Sequence, residues 1–302
     1  MNFATACVTG ASGFIGRALV DRLRASGCSV IAVGRMGSAM PHGALHLRVE
    51  SFSPATLRAA LRGQSFDILF HLAAYGVVPG DRDADTMLEI NVAATGALVD
   101  AAATCGARGI VYTGSCAEYA AGDGPLQENA SLTTTNVYGA SKASGGIWGT
   151  ALAARANIAF CWVRLFGVYG PGEAAYRLIP YIIARLRRGE VVDLTPGAQL
   201  RDFMYIDDVV TALIHAADLA QKDIPGPFNL CTGSGVAIRD VAIAVATAVE
   251  RPQALLAFGA RPYRTDEAMS IIGSSERFQT ASGFVPSIGL DEGIRRMVAA
   301  VQ

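Results

Sequence analysis

Tyr138 and Lys142 stand four residues apart in Tyr138-Gly139-Ala140-Ser141-Lys142, in a chain that otherwise writes nearly every cation as Arg, with Lys222 its one other lysine. In a helix that spacing stacks the phenol and the ammonium on one face. A free tyrosine titrates near pH ~10, too high for proton exchange near neutrality, and a neighbouring cation stabilises the phenolate and lowers that value. The plainer alternative is an aromatic ring and a Lys stem packed on a helix surface. A second constellation lies near the amino terminus, where an apolar run at Thr5–Thr9 enters Gly10-Ala11-Ser12-Gly13-Phe14-Ile15-Gly16, followed by Ala18, Leu19 and Leu23 at helical spacing. A strand, a glycine-rich turn and a helix start form an anion site, because backbone N–H groups and the positive helix end face the ligand and a side chain would block it. The spacing is G-x-x-G-x-x-G rather than G-x-G-x-x-G, and it reads as a dinucleotide pyrophosphate site.

The elements that must position these residues alternate. Strand-like apolar runs recur at residues 5–9, 29–33, 45–49, 67–70, 109–113 and 159–164, with helical patterns between several of them, which implies a parallel sheet covered on both faces. After Gly170-Pro171-Gly172 the texture changes to helices around 179–188, 207–220, 238–249 and 292–301, separated by short strands and Pro/Gly turns. The expected architecture is α/β: a Rossmann-type doubly wound parallel sheet with a smaller carboxy-terminal α/β lobe. The dinucleotide domain is expected over residues 1–165 with a later contribution from about 202–230, and the second lobe over 166–201 and 231–302. The cleft between lobes is the expected ligand position.

Composition narrows the partners. A hydrophobic fraction of 51% with 17% charged residues describes a globular chain able to bury a large core. A formal net charge of -1 without a basic run argues against nucleic acid recognised by bulk electrostatics. Cys7, Cys28, Cys105, Cys116, Cys161 and Cys231 lie far apart, without C-x-x-C or Cys/His spacing for a metal, and read as buried thiols in a reducing compartment. No apolar run reaches membrane-spanning length and the first residues enter a strand directly, so no membrane partner and a cytoplasmic location are expected.

The ordered set of motifs resembles the extended short-chain dehydrogenase/reductase family, which holds nucleotide-sugar epimerases, dehydratases and reductases. The resemblance runs through the glycine loop, His71-Leu72-Ala73-Ala74, Asn91-Val92, Ser115, the Tyr138/Lys142 pair, the segment from Leu165 to Gly172, and Arg201-Asp202-Phe203 with the residues that follow. It implies that Tyr138 exchanges a proton with a sugar oxygen, that Lys142 binds the nicotinamide ribose and depresses the phenol, and that Ser115 hydrogen-bonds the reacting oxygen. It places Gly10, Gly13, Phe14, Ile15, Gly16, Leu72, Ala73, Ala74, Asn91 and Thr113 at the cofactor, with Glu50 near the adenine. Strand 29–33 ends in Gly34-Arg35 where NAD-binding relatives carry an acid, and a guanidinium suits a 2′-phosphate, so NADP(H) is preferred with NAD(H) possible. Arg201 and Arg264 match positions that clamp a nucleotide-sugar diphosphate, Glu267 would bind a ribose hydroxyl, and the segment from Arg177 to Pro180 resembles the loop closing over the base. The alternative for either arginine is a salt bridge with Asp202 or Glu267. A homodimer is expected through the helices over 87–103 and 136–154.

The choice of reaction turns on Ser115-Cys116-Ala117-Glu118-Tyr119. The family's 4,6-dehydratases follow the catalytic hydroxyl with Asp-Glu; Cys116 and Ala117 cannot replace those carboxylic acids. Relatives that invert centres beside a ketone use a Cys at the position of Ala117 and a distant His, whereas His215 sits in what looks like a packed helix. What remains suits hydride and proton transfer at one carbonyl. The stretch is similar to that of nucleotide-linked 4-keto-6-deoxyhexose reductases. The alternatives are a 4-epimerase with tightly held NAD and, in a different class, a non-catalytic dinucleotide sensor.

Overall fold

The computed structural model describes residues 2–122 and 124–300. Seven strands form one sheet: β1 (Thr5–Thr9), β2 (Ser29–Arg35), β3 (Leu45–Val49), β4 (Ile68–His71), β5 (Gly109–Ser115), β6 (Ala159–Leu165) and, after β7 (Gly167–Tyr169), β8 (Val192–Leu194) and β9 (Leu200–Tyr205), β10 (Phe228–Leu230). Their order is β10-β6-β5-β4-β1-β2-β3, and every pairing within it is parallel. Apart from the edge strand β3, the strands are largely apolar because both faces are buried. In β1, Ala6 and Val8 join the core on one face, with Leu19, Leu23 and Val209, while Cys7 joins Leu57, Leu69 and Leu98 on the other. The chain runs from β1 outward through β2 and β3, then returns to place β4 on the other side of β1. That reversal opens a crevice beyond the carboxyl ends of β1 and β4, where doubly wound sheets bind ligands.

Around the sheet lie α1 (Phe14–Ala25), α2 (Pro54–Leu61), α3 (Ala84–Leu88), α4 (Ala94–Thr104) and α5 (Val137–Ala156). The helix expected over 87–103 runs unbroken as α3, a π-turn at Glu89–Ala93, and α4. Helix α5 carries Tyr138 and Lys142 on its first two turns, and small residues let it sit almost in contact with the sheet. A Cβ on Gly145 would lie 2.1 Å from the Asn91 carbonyl oxygen, and one on Gly146 would lie 2.4 Å from the Trp162 ring.

The rest of the chain adds α6 (Leu178–Arg187), α7 (Ile206–Gln221), β11 (Gly235–Ala237), α8 (Ile238–Ala248), β12 (Leu256–Phe258), β13 (Ser270–Ile271), α9 (Glu276–Ser282) and α10 (Leu290–Ala300). Strands β7, β11 and β13 pair with β9, and β12 pairs with β8. Within 202–230, α7 packs on the large sheet and β10 joins its edge, while β9 belongs to the small one. The expected last helix ran to Val301, which lies outside the described residues. Among the described residues no helix is long and apolar enough to cross a membrane, and no group of three His, Cys, Asp or Glu side chains is placed to hold a metal.

Candidate active site

The phosphate end of the site is built from glycine for two separate reasons. Gly10 has φ +70°, a left-handed conformation that disfavours a side chain, and a Cβ there would lie 2.8 Å from the Ala73 nitrogen. A Cβ on Gly16 would lie 2.2 Å from the Gly10 carbonyl oxygen. The turn closes through Gly13 N–H to the Gly10 carbonyl at 2.9 Å. Gly13 then caps α1 without any side-chain hydrogen bond, and the first turn of α1 carries no acid. Phe14 and Ile15 open the helix, so its first N–H groups face the crevice unblocked. Leu72, Ala73 and Ala74 follow β4 directly, the first two against this loop, with Ala73 N–H donating to Thr9 Oγ1 at 3.4 Å. A 320 Å³ cavity lined by Ser12, Phe14, Arg17, Pro171 and Gly172, among others, continues from the loop toward the second lobe. A larger cavity of 660 Å³ opens beside β10, lined by Glu128, Phe228 and Arg277, and contains none of the expected site residues. Arg35 ends β2 and Glu50 follows β3, both exposed to solvent.

Ser115 ends β5, and its hydroxyl accepts from Ala117 N–H at 3.1 Å. Tyr138 is half-buried and Lys142 fully so. The Lys142 ammonium lies 4.3 Å from the centre of the Tyr112 ring, and its Nζ has no hydrogen-bond partner among the described residues. Burial pulls Lys142 down from 10.5 to about 8, against the opposing charge of Glu118. Burial, then Cys116 and Glu118, push the Tyr138 phenol up, while the Ser115 hydroxyl and the Arg177 charge pull it back. Arg177 is thus one cation that acts on the phenol.

Two residues expected at the cofactor also make hydrogen bonds within the protein. The Thr113 hydroxyl donates to the His71 carbonyl at 3.0 Å inside the sheet. Asn91 sits in the π-turn: its Oδ1 accepts from Tyr75 N–H at 2.9 Å, and its amide nitrogen donates at 2.9 Å to both the Tyr75 carbonyl and Ser141. It fastens the loop after β4 to α5. His71 is held between Thr9 and Thr95, at 2.9 Å and 3.1 Å, and burial together with the Lys142 charge lowers its pKa well below the ordinary range.

In the second lobe Arg201 pairs with Glu267 at 2.5 Å, and Arg264, largely exposed, reaches the other Glu267 oxygen at 3.8 Å. Asp202 plays a different part, accepting from Thr232 and Gly233 to fasten β9 to the loop after β10. Pro180 lies in the first turn of α6, so the expected loop from Arg177 to Pro180 is a helix start. Cys116 is half-buried beside Ser115, unlike the other five thiols, and burial raises it to about 11. His215 packs against Phe284 with ring centres 5.6 Å apart.

Two site-supporting residues escape sequence reasoning. Glu118 is fully buried, its carboxylate accepting from Ser115 N–H at 2.9 Å and from Arg164 Nε at 2.7 Å. Burial raises this carboxyl while the Arg164 charge and hydrogen bond draw it down. The readable signal was the Ser-x-x-Glu spacing, which here forms a reciprocal cap on the one-turn helix Cys116–Glu118.

A cradle with bare N–H groups, together with a buried and unpartnered ammonium beside a phenol and a serine, fits a dinucleotide. Comparison with known proteins agrees, since residues 6–231 match the NAD dependent epimerase/dehydratase family. The chain belongs to that family. It is 29% identical to CDP-abequose synthase of Salmonella typhimurium and 28% identical to UDP-glucose 4-epimerase of Mycolicibacterium smegmatis, over 96% of each chain in both cases. Among solved structures, MoeE5 in complex with UDP-glucuronic acid and NAD is 31% identical with a TM-score of 0.85 over 98% of both chains. A member of this family is a nucleotide-sugar-modifying enzyme using a nicotinamide dinucleotide, and the sensor alternative falls away.

Proposed function

We propose that this family member reduces the 4-keto group of a nucleotide-activated 4-keto-6-deoxyhexose with NADPH, giving an activated deoxy sugar for a polysaccharide or glycosylated product. The observation that carries the reading is the pairing of Ser115, Tyr138 and Lys142 beside a Glu118 whose two oxygens are held by Ser115 N–H and Arg164. Cys116 and Ala117 offer no carboxylic acid for eliminating water, and Glu118 has no oxygen to lend. When bound, the nicotinamide supplies the hydride. Tyr138 gives its proton to the oxygen that becomes the hydroxyl, Ser115 orients that oxygen, and Lys142 takes the ribose hydroxyls as its missing partners. Once Lys142 is fixed there, its charge favours the phenolate left by proton transfer.

Arg35, exposed at the end of β2 without a competing acid there, would take the 2′-phosphate. Gly10, Gly13, Phe14, Ile15 and Gly16 would hold the pyrophosphate, with Glu50 near the adenine. Arg201 and Arg264 would clamp the sugar-nucleotide diphosphate, with Glu267 turning to a ribose hydroxyl and Pro180 bordering the base. Exposed Val137, Ile147 and Trp148 on α5 suit a homodimer built on α4 and α5. A cytoplasmic location follows from the soluble substrates. A second reading, a 4-epimerase holding NAD, is favoured by the mycobacterial relative and by the NAD in the MoeE5 complex. Mass analysis after incubation with CDP-, GDP- and dTDP-4-keto-6-deoxyhexoses and with UDP-hexoses separates them. Reduction adds two hydrogens with stoichiometric NADPH oxidation, whereas epimerisation leaves mass and cofactor unchanged and would overturn the reductase.

A further inference from the structure

The loop after β4 supplies no atom to the chemistry above, yet it lies against the Tyr138 ring. Gly76 has φ +100°, in the left-handed region that side chains disfavour, and a Cβ there would lie 2.9 Å from Tyr138 Cδ2. The same point lies 2.9 Å from Met87 Cε and 3.4 Å from its sulfur. The missing side chain therefore leaves the space in which the Tyr138 ring and the buried end of Met87, on α3, close against the loop. Carbon atoms pack at about 3.5–4.0 Å, so a methyl at this point would need its neighbours to yield by roughly 1 Å. The flexible end of Met87 can turn aside, which leaves the contact between loop and ring to decide the outcome.

The loop is not free to give way. Asn91 grips the residue before Gly76 on both sides, accepting from Tyr75 N–H and donating to the Tyr75 carbonyl, each at 2.9 Å. The same Asn91 amide donates at 2.9 Å to Ser141 Oγ, which donates at 2.8 Å to the Tyr138 carbonyl. The contacts close on themselves: Tyr138 is tied at its backbone, through Ser141 and Asn91, to the loop that bears on its ring. The phenolic oxygen lies farther out than the ring carbon that Gly76 meets, so a tilt of the ring about its Cβ moves that oxygen more than the carbon. We propose that Gly76 and Met87 form a seat for the Tyr138 ring, positioning residues that aim the phenol at the reacting oxygen while Asn91 holds the seat in place. Its catalytic meaning rests on the reading that Tyr138 carries the proton, which the reductase and the epimerase share.

Crystal structures of the ligand-free wild type and Gly76→Ala read the aim of the phenol directly and need neither cofactor nor substrate. Tyr138 Oη is expected to move by about 1 Å or more relative to Ser115 Oγ. A Tyr138 that stays in place while the loop moves away overturns the proposal. Turnover is the second readout, followed as NADPH oxidation by a nucleotide 4-keto-6-deoxyhexose or as interconversion of UDP-hexoses, whichever the wild type performs. A wild type that performs neither refutes the functional reading and leaves the structural comparison to decide the seat. Gly76→Ala is expected to lower kcat about 10²-fold with KM little changed, the loss that a misplacement near 1 Å brings. In a Tyr138→Phe background the same substitution is expected to cost less than about threefold, since no phenolic proton is left to aim. An equal loss in both backgrounds overturns the proposal, because a loop that merely supports the fold acts regardless of the hydroxyl. Gly76→Ala also strains a left-handed backbone, so Met87→Ala is the second variant, emptying the far side of the seat without touching the loop. It is expected to show the same pattern with a smaller, several-fold fall in kcat. A kcat unchanged in Met87→Ala, or lowered equally in both backgrounds, likewise overturns the seat.

Discussion

Replacing Lys142 with Met keeps an unbranched apolar stem in the core and deletes the buried ammonium. Burial moves that group from its ordinary 10.5 to about 8. At ~1.4 kcal/mol per pH unit the displacement corresponds to about 3 kcal/mol, undiscounted because the side chain has no solvent to screen it. The folded-state value lies below the unfolded one, so between pH 8 and 10.5 the unfolded chain binds more protons and stability rises with pH. The penalty is complete below that window and gone above it. Ligand-free Lys142→Met is therefore expected to be about 3 kcal/mol more stable than wild type at pH 7, with the difference closing as pH climbs through the window. Urea unfolding of both proteins at pH 7 and again within that window, at one ionic strength, measures it. Equal stabilities at neutral pH, or a difference that does not narrow with alkali, would refute the argument. The same variant is expected to lose dinucleotide affinity, so stability and function move in opposite directions, as they do where a site holds an uncompensated group.

Arg35→Asp is expected to weaken NADPH binding more than NADH binding, and titration showing a wild-type preference for NADH would remove the 2′-phosphate assignment. Tyr138→Phe keeps the ring and deletes the proton, so kcat is expected to fall about 10²–10⁴-fold with nucleotide-sugar affinity nearly unchanged; near-full turnover would sink the mechanism.

The glycine loop and the Tyr138/Lys142 pair were legible because each is a local pattern whose chemistry is set by spacing, and the strands because burial on both faces leaves long apolar runs. The junction of α3 and α4 was not, since a π-turn is stabilised by what Asn91 reaches, namely Tyr75 and Ser141, and neither lies on its own helix. The bond from the Thr113 hydroxyl to the His71 carbonyl was hidden for the same reason, because it crosses to the adjacent strand. Glu118 was half-legible: the cap spacing lies within four residues, whereas Arg164 is 46 residues away and belongs to the next strand.

The second lobe carries the remaining electrostatic problem. Arg201 and Arg264 share one carboxylate, Glu267, so the cluster carries one net positive charge, and Arg201 is the better held of the two, with 21% of its side chain exposed against 84% for Arg264. On the proposed reading a diphosphate arriving here competes with Glu267 for Arg201, while the exposed Arg264 reaches the phosphate without first leaving a close partner. The ion pair keeps Arg201 ordered in the ligand-free protein, and breaking it costs part of the attraction that the phosphate brings. Orientation of the sugar nucleotide would then rest on Arg201, the half-buried and pre-set fork, and encounter on Arg264, the exposed charge.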